Sequence, residues 1–283
     1  RKNIIQFRSW DMNSVKGKIN KLILGLTSVG TVILLMLPAS LYANHFRYGT
    51  MSWEPVDDNG TIRLKMQNGW TSNHGFISAF TAGQYKLNAI TISWGDGDTD
   101  TVDFKVLSRD NTTNDTITEM GDKSSSSWTV GVTHQYSSAG TYEVYWSGSA
   151  RESVTNSGNG SAWRNQTSVT PYFSASNTSN TSPVSAVPPR VQVQDNTIFN
   201  YNLVSTDANN DSLSYRWGTK AEFFNGSGNF IMPTGMTLSS SGIINWDVRD
   251  SVLSASESSL WVVVVMVEDF YDNGSVKSYI PAD

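Results

Sequence analysis

The 283-residue chain has no cysteine, which removes disulfide frameworks, zinc–thiolate centres and thiol nucleophiles from consideration. Charge is scarce: Asp, Glu, Lys and Arg make up 16% of residues, against a typical ~25%. Histidine occurs three times, as His45, His74 and His134. No Gly-x-Ser-x-Gly elbow, His-Glu-x-x-His pair, Walker loop or dinucleotide fingerprint occurs, so nucleophilic, zinc-hydrolytic and nucleotide-dependent chemistry lack their local signatures. After the first forty or so positions no stretch of helical length keeps a 3.6-residue apolar period. The chain is nevertheless 38% hydrophobic and 11% aromatic, too rich in core-forming residues for disorder. What remains is an all-β protein with hydroxyl-rich outer faces and no enzymatic role.

Lys16, Lys18 and Lys21 precede an apolar run, Leu22 to Leu37, followed by Pro38 and Leu41-Tyr42-Ala43. A basic segment, an apolar segment and a small-residue cleavage site make a secretory signal. Residues 1–43 therefore read as a leader starting at Met12 and cleaved after Ala43. The run is diluted by glycine and threonine and falls short of the ~20 residues that span a bilayer. Removing the leader's six basic residues and Asp11 from the 20 basic and 25 acidic residues leaves a net charge of −10. So acidic a chain repels phosphate backbones, which excludes nucleic acid as a partner. The expected location is extracellular or at the cell surface, with a membrane reached only through an anchor outside this sequence.

Period-2 alternation in Thr61–Met66 and aromatic enrichment in Phe46–Trp53 predict strands joined by a turn at Asn59-Gly60. Further strands are expected at Leu87–Trp94, Val102–Leu107, Thr116–Met120, Trp128–Tyr136 and Thr141–Trp146. A Ser/Asn/Thr-rich tract, Ser174–Ser182, reads as linker and ends in prolines at 183, 188 and 189. Beyond it, strands are expected at Val191–Gln194, Thr197–Leu203, Leu213–Trp217, Met236–Leu238, Ile243–Trp246 and Leu260–Val267. The fold class is all-β: two immunoglobulin-like β-sandwich modules in tandem, residues 44–187 and 188–283, the second ending where a closing strand belongs and so truncated.

Ile92-Ser93-Trp94-Gly95-Asp96-Gly97-Asp98, then His134-Gln135-Tyr136 and Gly140-Thr141-Tyr142-Glu143-Val144, resemble the PKD domain over about residues 86–150. The resemblance implies a β-sandwich in which His134 is structural and the Asp96, Asp98, Asp100 trio serves a turn. Residues 44–85 lie outside it, as added strands or a separate element. Phe199–Tyr215, Met232-Pro233-Thr234-Gly235-Met236 and Gly242-Ile243-Ile244-Asn245-Trp246 look like the cadherin-like, immunoglobulin-like domains of bacterial surface proteins, over about residues 188–283. That likeness implies a spacer or adhesive module.

Asp207, Asn209 and Asp211 set three oxygen-bearing side chains at alternate loop positions. Calcium takes six to eight oxygen ligands; an EF-hand is excluded because Ser212 and Gly218 stand at its required Gly and Glu positions. By resemblance to cadherin-like loops, Glu268, Asp269 and Asp272 complete a calcium site. The competing explanation is turn chemistry, in which Asx side chains bond their own backbone. Trp70 and Trp163, in Gly/Asn-rich contexts, are candidate exposed rings for stacking on carbohydrate. The function expected is a non-catalytic adhesion or structural module, calcium-stabilised, binding other surface proteins or glycans. The alternative is a carbohydrate-binding accessory region of a larger secreted enzyme.

Overall fold

The computed structural model describes residues 45–283 apart from 125, 157–161, 187–189, 195, 225–229 and 250–258. The expected leader lies outside the described residues. Among these residues no helix is long and apolar enough to cross a membrane.

The N-terminal strands are β1 (Phe46–Pro55), β2 (Thr61–Thr71), β3 (Tyr85–Ser93), β4 (Thr99–Asp110), β5 (Asp115–Lys123), β6 (Trp128–Val130), β7 (Val132–Gln135), β8 (Tyr142–Gly148) and β9 (Trp163–Val169). Then follow β10 (Val184–Ser185), β11 (Ile198–Asn202), β12 (Ser205–Thr206), β13 (Leu213–Trp217), the one-turn helix α1 (Lys220–Phe223), β14 (Thr237–Leu238), β15 (Ile243–Asp247), β16 (Val265–Phe270) and β17 (Val276–Ala282). All-β is correct. Most expected strands are present, but Val191–Gln194 forms none and Trp128–Tyr136 is broken into β6 and β7 by Gly131, at φ 77°.

Alternation dictates the packing. Ile62, Leu64 and Met66 of β2 point inward, joining Met51, Trp53, Trp94, Phe104 and Trp146 in the largest apolar core. The β1–β2 connection is held by Asp57 Oδ1, which accepts from the amides of Asn59 (2.9 Å) and Thr61 (3.0 Å). Gly60 there has φ 86°, and a Cβ on it would come within 2.2 Å of the Phe173 ring. The turn thus requires glycine twice over, for backbone and for space.

Pairing runs antiparallel through β1–β2–β5–β4–β3–β8–β9–β17–β16–β13, and β17 also pairs β1, at Thr50 and Ala282. The sheet therefore closes on itself from β1 round to β17, while β16 and β13 continue beyond the closure. β11, β15 and β14 form a separate small sheet. Leu203, Ile244 and Val265 pack there with Phe199 and Tyr215 as a second core.

This pairing crosses the boundary expected at residues 187–188. The last strand, from the sequence's second half, bonds β9 and β1 of the first. Strands β1 and β2 extend the same sheet as the motif-bearing strands. The Ser174–Ser182 tract is no free linker either. Trp53 N donates to Ser182 Oγ (2.8 Å) and Ser182 N to the Trp53 carbonyl (3.0 Å), with Ser182 fully buried.

Candidate functional site

Three of the six residues expected to bind calcium come together. Asp207, Asp211 and Asp269 each offer a carboxylate oxygen within 4.8 Å of the other two. Asp207 Oδ1 accepts from the amides of Asn209 (2.8 Å) and Asp211 (2.9 Å), the turn chemistry expected of such a loop. Its Oδ2 is buried without a partner. Asp269 is fully buried on β16 and accepts from Ser278 Oγ (2.6 Å) and Asn180 Nδ2 (2.8 Å). Burial pushes the Asp269 carboxyl above the usual carboxylate range, against the pull of those hydrogen bonds. Lys277 Nζ lies 2.6 Å from both oxygens of Asp211. Burial lowers the Lys277 ammonium, but Asp211 and the neighbouring carboxylates outweigh it and raise it overall.

The other three stand elsewhere. Asn209 Oδ1 is taken by the Thr181 amide (2.8 Å). Glu268 bonds Arg216 Nε (2.6 Å), because consecutive strand residues face opposite sides of the sheet. Asp272 lies exposed in the β16–β17 turn. Two residues of the cluster carry no sequence signal: Lys277, and Asn180, whose Oδ1 is buried and unpartnered. The donor set fits a hard cation in kind, being carboxylate and amide oxygen. Such an ion would compete with the Lys277 ammonium for Asp211.

The Trp94 turn carries the other acidic group. Asp96, Asp98 and His134 also lie within 4.8 Å of one another, yet their bonds are structural. Asp96 Oδ1 accepts from the Asp98 amide (3.0 Å) and its Oδ2 pairs with His134 Nε2 (2.7 Å). The His134 ring stacks on Trp94 at 4.5 Å. Asp100 accepts from Trp94 Nε1 (2.9 Å), and Tyr136 Oη donates to the Trp94 carbonyl (3.0 Å). Burial would raise Asp96, but the bonds from His134 and Asp98 bring it below the carboxylate range.

Trp70 and Trp163 are not exposed rings. They are 1% and 2% exposed and belong to β2 and β9. Their Gly/Asn-rich neighbours are small because the strands pack closely: a Cβ on Gly69 would fall 2.1 Å from the Tyr48 ring. Neither ring is presented on the outer surface, where a polysaccharide chain would stack. Together with His45, Phe76 and Trp146 they line a recess of about 330 Å³ between β3 and the end of β8.

Residues 47–172, from β1 to just past β9, match a family model described as integrin beta-like protein A-E, N-terminal. The match takes in β1 and β2 as well as the motif-bearing strands, and it is to this family rather than to PKD or cadherin-like domains. Integrin beta-like protein A of Dictyostelium discoideum is 29% identical over 218 residues, covering 72% of this chain and 10% of that protein. The chain thus spans about a tenth of the length of this curated relative. That relative is not bacterial, unlike the surface proteins expected from the sequence. No solved structure matches the chain.

Proposed function

We propose that the chain is a non-catalytic adhesion or structural module of a cell-surface protein, exported by its leader and binding other surface proteins. The observation that carries this is the likeness over 218 residues to an integrin beta-like protein, integrins as a class being surface adhesion receptors. The closure between β1 and β17 supports it: pairing these strands leaves fewer open edges for edge-to-edge association outside the cell. The accessory-region alternative, which rested on Trp70 and Trp163 as exposed rings on the surface, loses that support with their burial.

Calcium belongs to the same proposal, held by Asp207, Asp211 and Asp269 with Asn180 as an amide ligand. It would supply charge neutralisation for a carboxylate group that meets one ammonium, and would tie the β12–β13 loop to β16. Beads coated with the chain should capture cells above an albumin-coated control, and soluble chain should compete. Capture equal to the control would overturn the adhesive reading.

A further inference from the structure

Most buried indoles in this protein have an oxygen for their N–H. Trp53 donates to the Ser168 carbonyl (2.9 Å), Trp70 to Thr118 Oγ1 (2.9 Å), Trp94 to Asp100 (2.9 Å) and Trp246 to the Thr234 carbonyl (3.1 Å). Trp146 and Trp163, 4% and 2% exposed, have none. His45 Nδ1 is likewise buried and unpartnered. Orphaned buried donors are rare and each needs a reason. All three side chains line the same recess, whose volume lies at the low end of the ~300–1,000 Å³ typical of ligand pockets.

The recess arises from the strand pairing. β3 and β8 are bonded to each other at Ser93 and Tyr145 alone; beyond that pair they part, and residues 89–91 and 147–149 both contribute to its walls. Exposed Thr91 and Ser149 mark the mouth, and the three buried tryptophans form the floor. His45 is the one titratable side chain that lines it. Burial and then His74, stacked at 3.9 Å, lower His45 to about 4, so its imidazole is neutral at pH 7.

We propose that this recess binds a neutral sugar ring, a single hexopyranose residue or the terminal residue of a glycan. Aromatic faces suit the C–H surface of a pyranose, and the indole N–H groups suit its hydroxyl oxygens. With no charged group in the lining itself at neutral pH, phosphorylated, sulfated or carboxylated sugars are disfavoured. This goes beyond the surface-module reading and does not rest on it, since it concerns the chain in solution.

The test is a titration of the ¹⁵N-labelled chain with the methyl glycosides of glucose, galactose, mannose and N-acetylglucosamine, and with cyclohexanol and glucuronate as controls. At least one glycoside should shift the indole N–H resonances of Trp146 and Trp163 saturably and with one midpoint, leaving those of Trp94 and Trp246 in place. Trp146→Phe and Trp163→Phe, which keep a ring and remove the donor, should each weaken binding about tenfold. Assignment by side-chain correlation in the unsubstituted chain preserves the readout if a variant fails to fold. The proposal is overturned if no glycoside moves the two resonances, if cyclohexanol or glucuronate moves them equally, or if both folded variants bind as tightly as the parent.

Discussion

Tyr136 shows how one hydroxyl anchors a turn. Its ring is 1% exposed and its O–H is spent on the Trp94 carbonyl, at the point where Gly95 leaves no room for a side chain, a Cβ there falling 2.7 Å from the Glu143 carbonyl oxygen. Tyr136→Phe should cost about 1–2 kcal/mol in denaturant unfolding, because the carbonyl stays buried without its donor. His45 has a pH signature. Its folded value of about 4 lies below the ordinary 6.5, so between these values the unfolded chain takes the proton first. Its stability contribution is therefore complete above about pH 6.5 and is lost as pH falls toward 4. The melting temperature of His45→Gln should fall less than that of the parent between pH 7 and 5. Comparison with the parent is needed because Asp269, raised by burial, acts with the opposite sign. The residues around Trp94 were legible in the sequence, since Gly-Asp-Gly and His-Gln-Tyr are local turn and strand chemistry. Trp70 and Trp163 were not, because burial depends on strands far away in the chain.

At the scale of elements, β9 and β17 were the strands hardest to read. β9 reads Trp163-Arg164-Asn165-Gln166-Thr167-Ser168-Val169 and is buried almost throughout, so no alternation of apolar and polar positions marks it. Two of its polar side chains bond β17: Thr167 Oγ1 donates to the Tyr279 carbonyl (2.6 Å), and Gln166 bonds the Tyr279 hydroxyl. The end of β17 is clamped by Arg151, 3% exposed, which bonds the Asp283 carboxylate and the Arg47 carbonyl (3.0 Å) and lies over the Phe46 ring. Arg151→Met should cost about 3–5 kcal/mol by leaving a buried carboxylate unpaired, while the double variant Arg151→Met, Asp283→Leu should recover most of it. The acidic loop between β12 and β13 offers another test. If calcium binds there, saturating calcium should raise the melting temperature of the full chain, and Lys277→Gln should enlarge that shift by freeing Asp211. Identical curves with and without calcium in both proteins would remove the site. Half of it was legible: the alternate spacing of Asp207 and Asp211 is local, whereas Asn180 and Lys277 arrive from other elements.

For the whole molecule, the described residues from 45 to 283 belong to one compact unit, and the closing strand bonds β1, β9 and β16. Unfolding monitored by tryptophan fluorescence and by far-UV dichroism should therefore give one coincident transition. Two separated transitions would restore independent modules. The all-β class was legible because composition and alternation report local geometry. The continuity of the sheet was not, because nothing in a strand's own residues names its partner. That continuity has a consequence for biosynthesis. Thr50 of β1 waits for Ala282 of β17, almost the full described length away, so a nascent chain emerging vectorially from the ribosome holds an unsealed barrel until β17 has emerged. High contact order of this kind slows closure, and it makes the chain that still lacks β17 the species most in need of a chaperone.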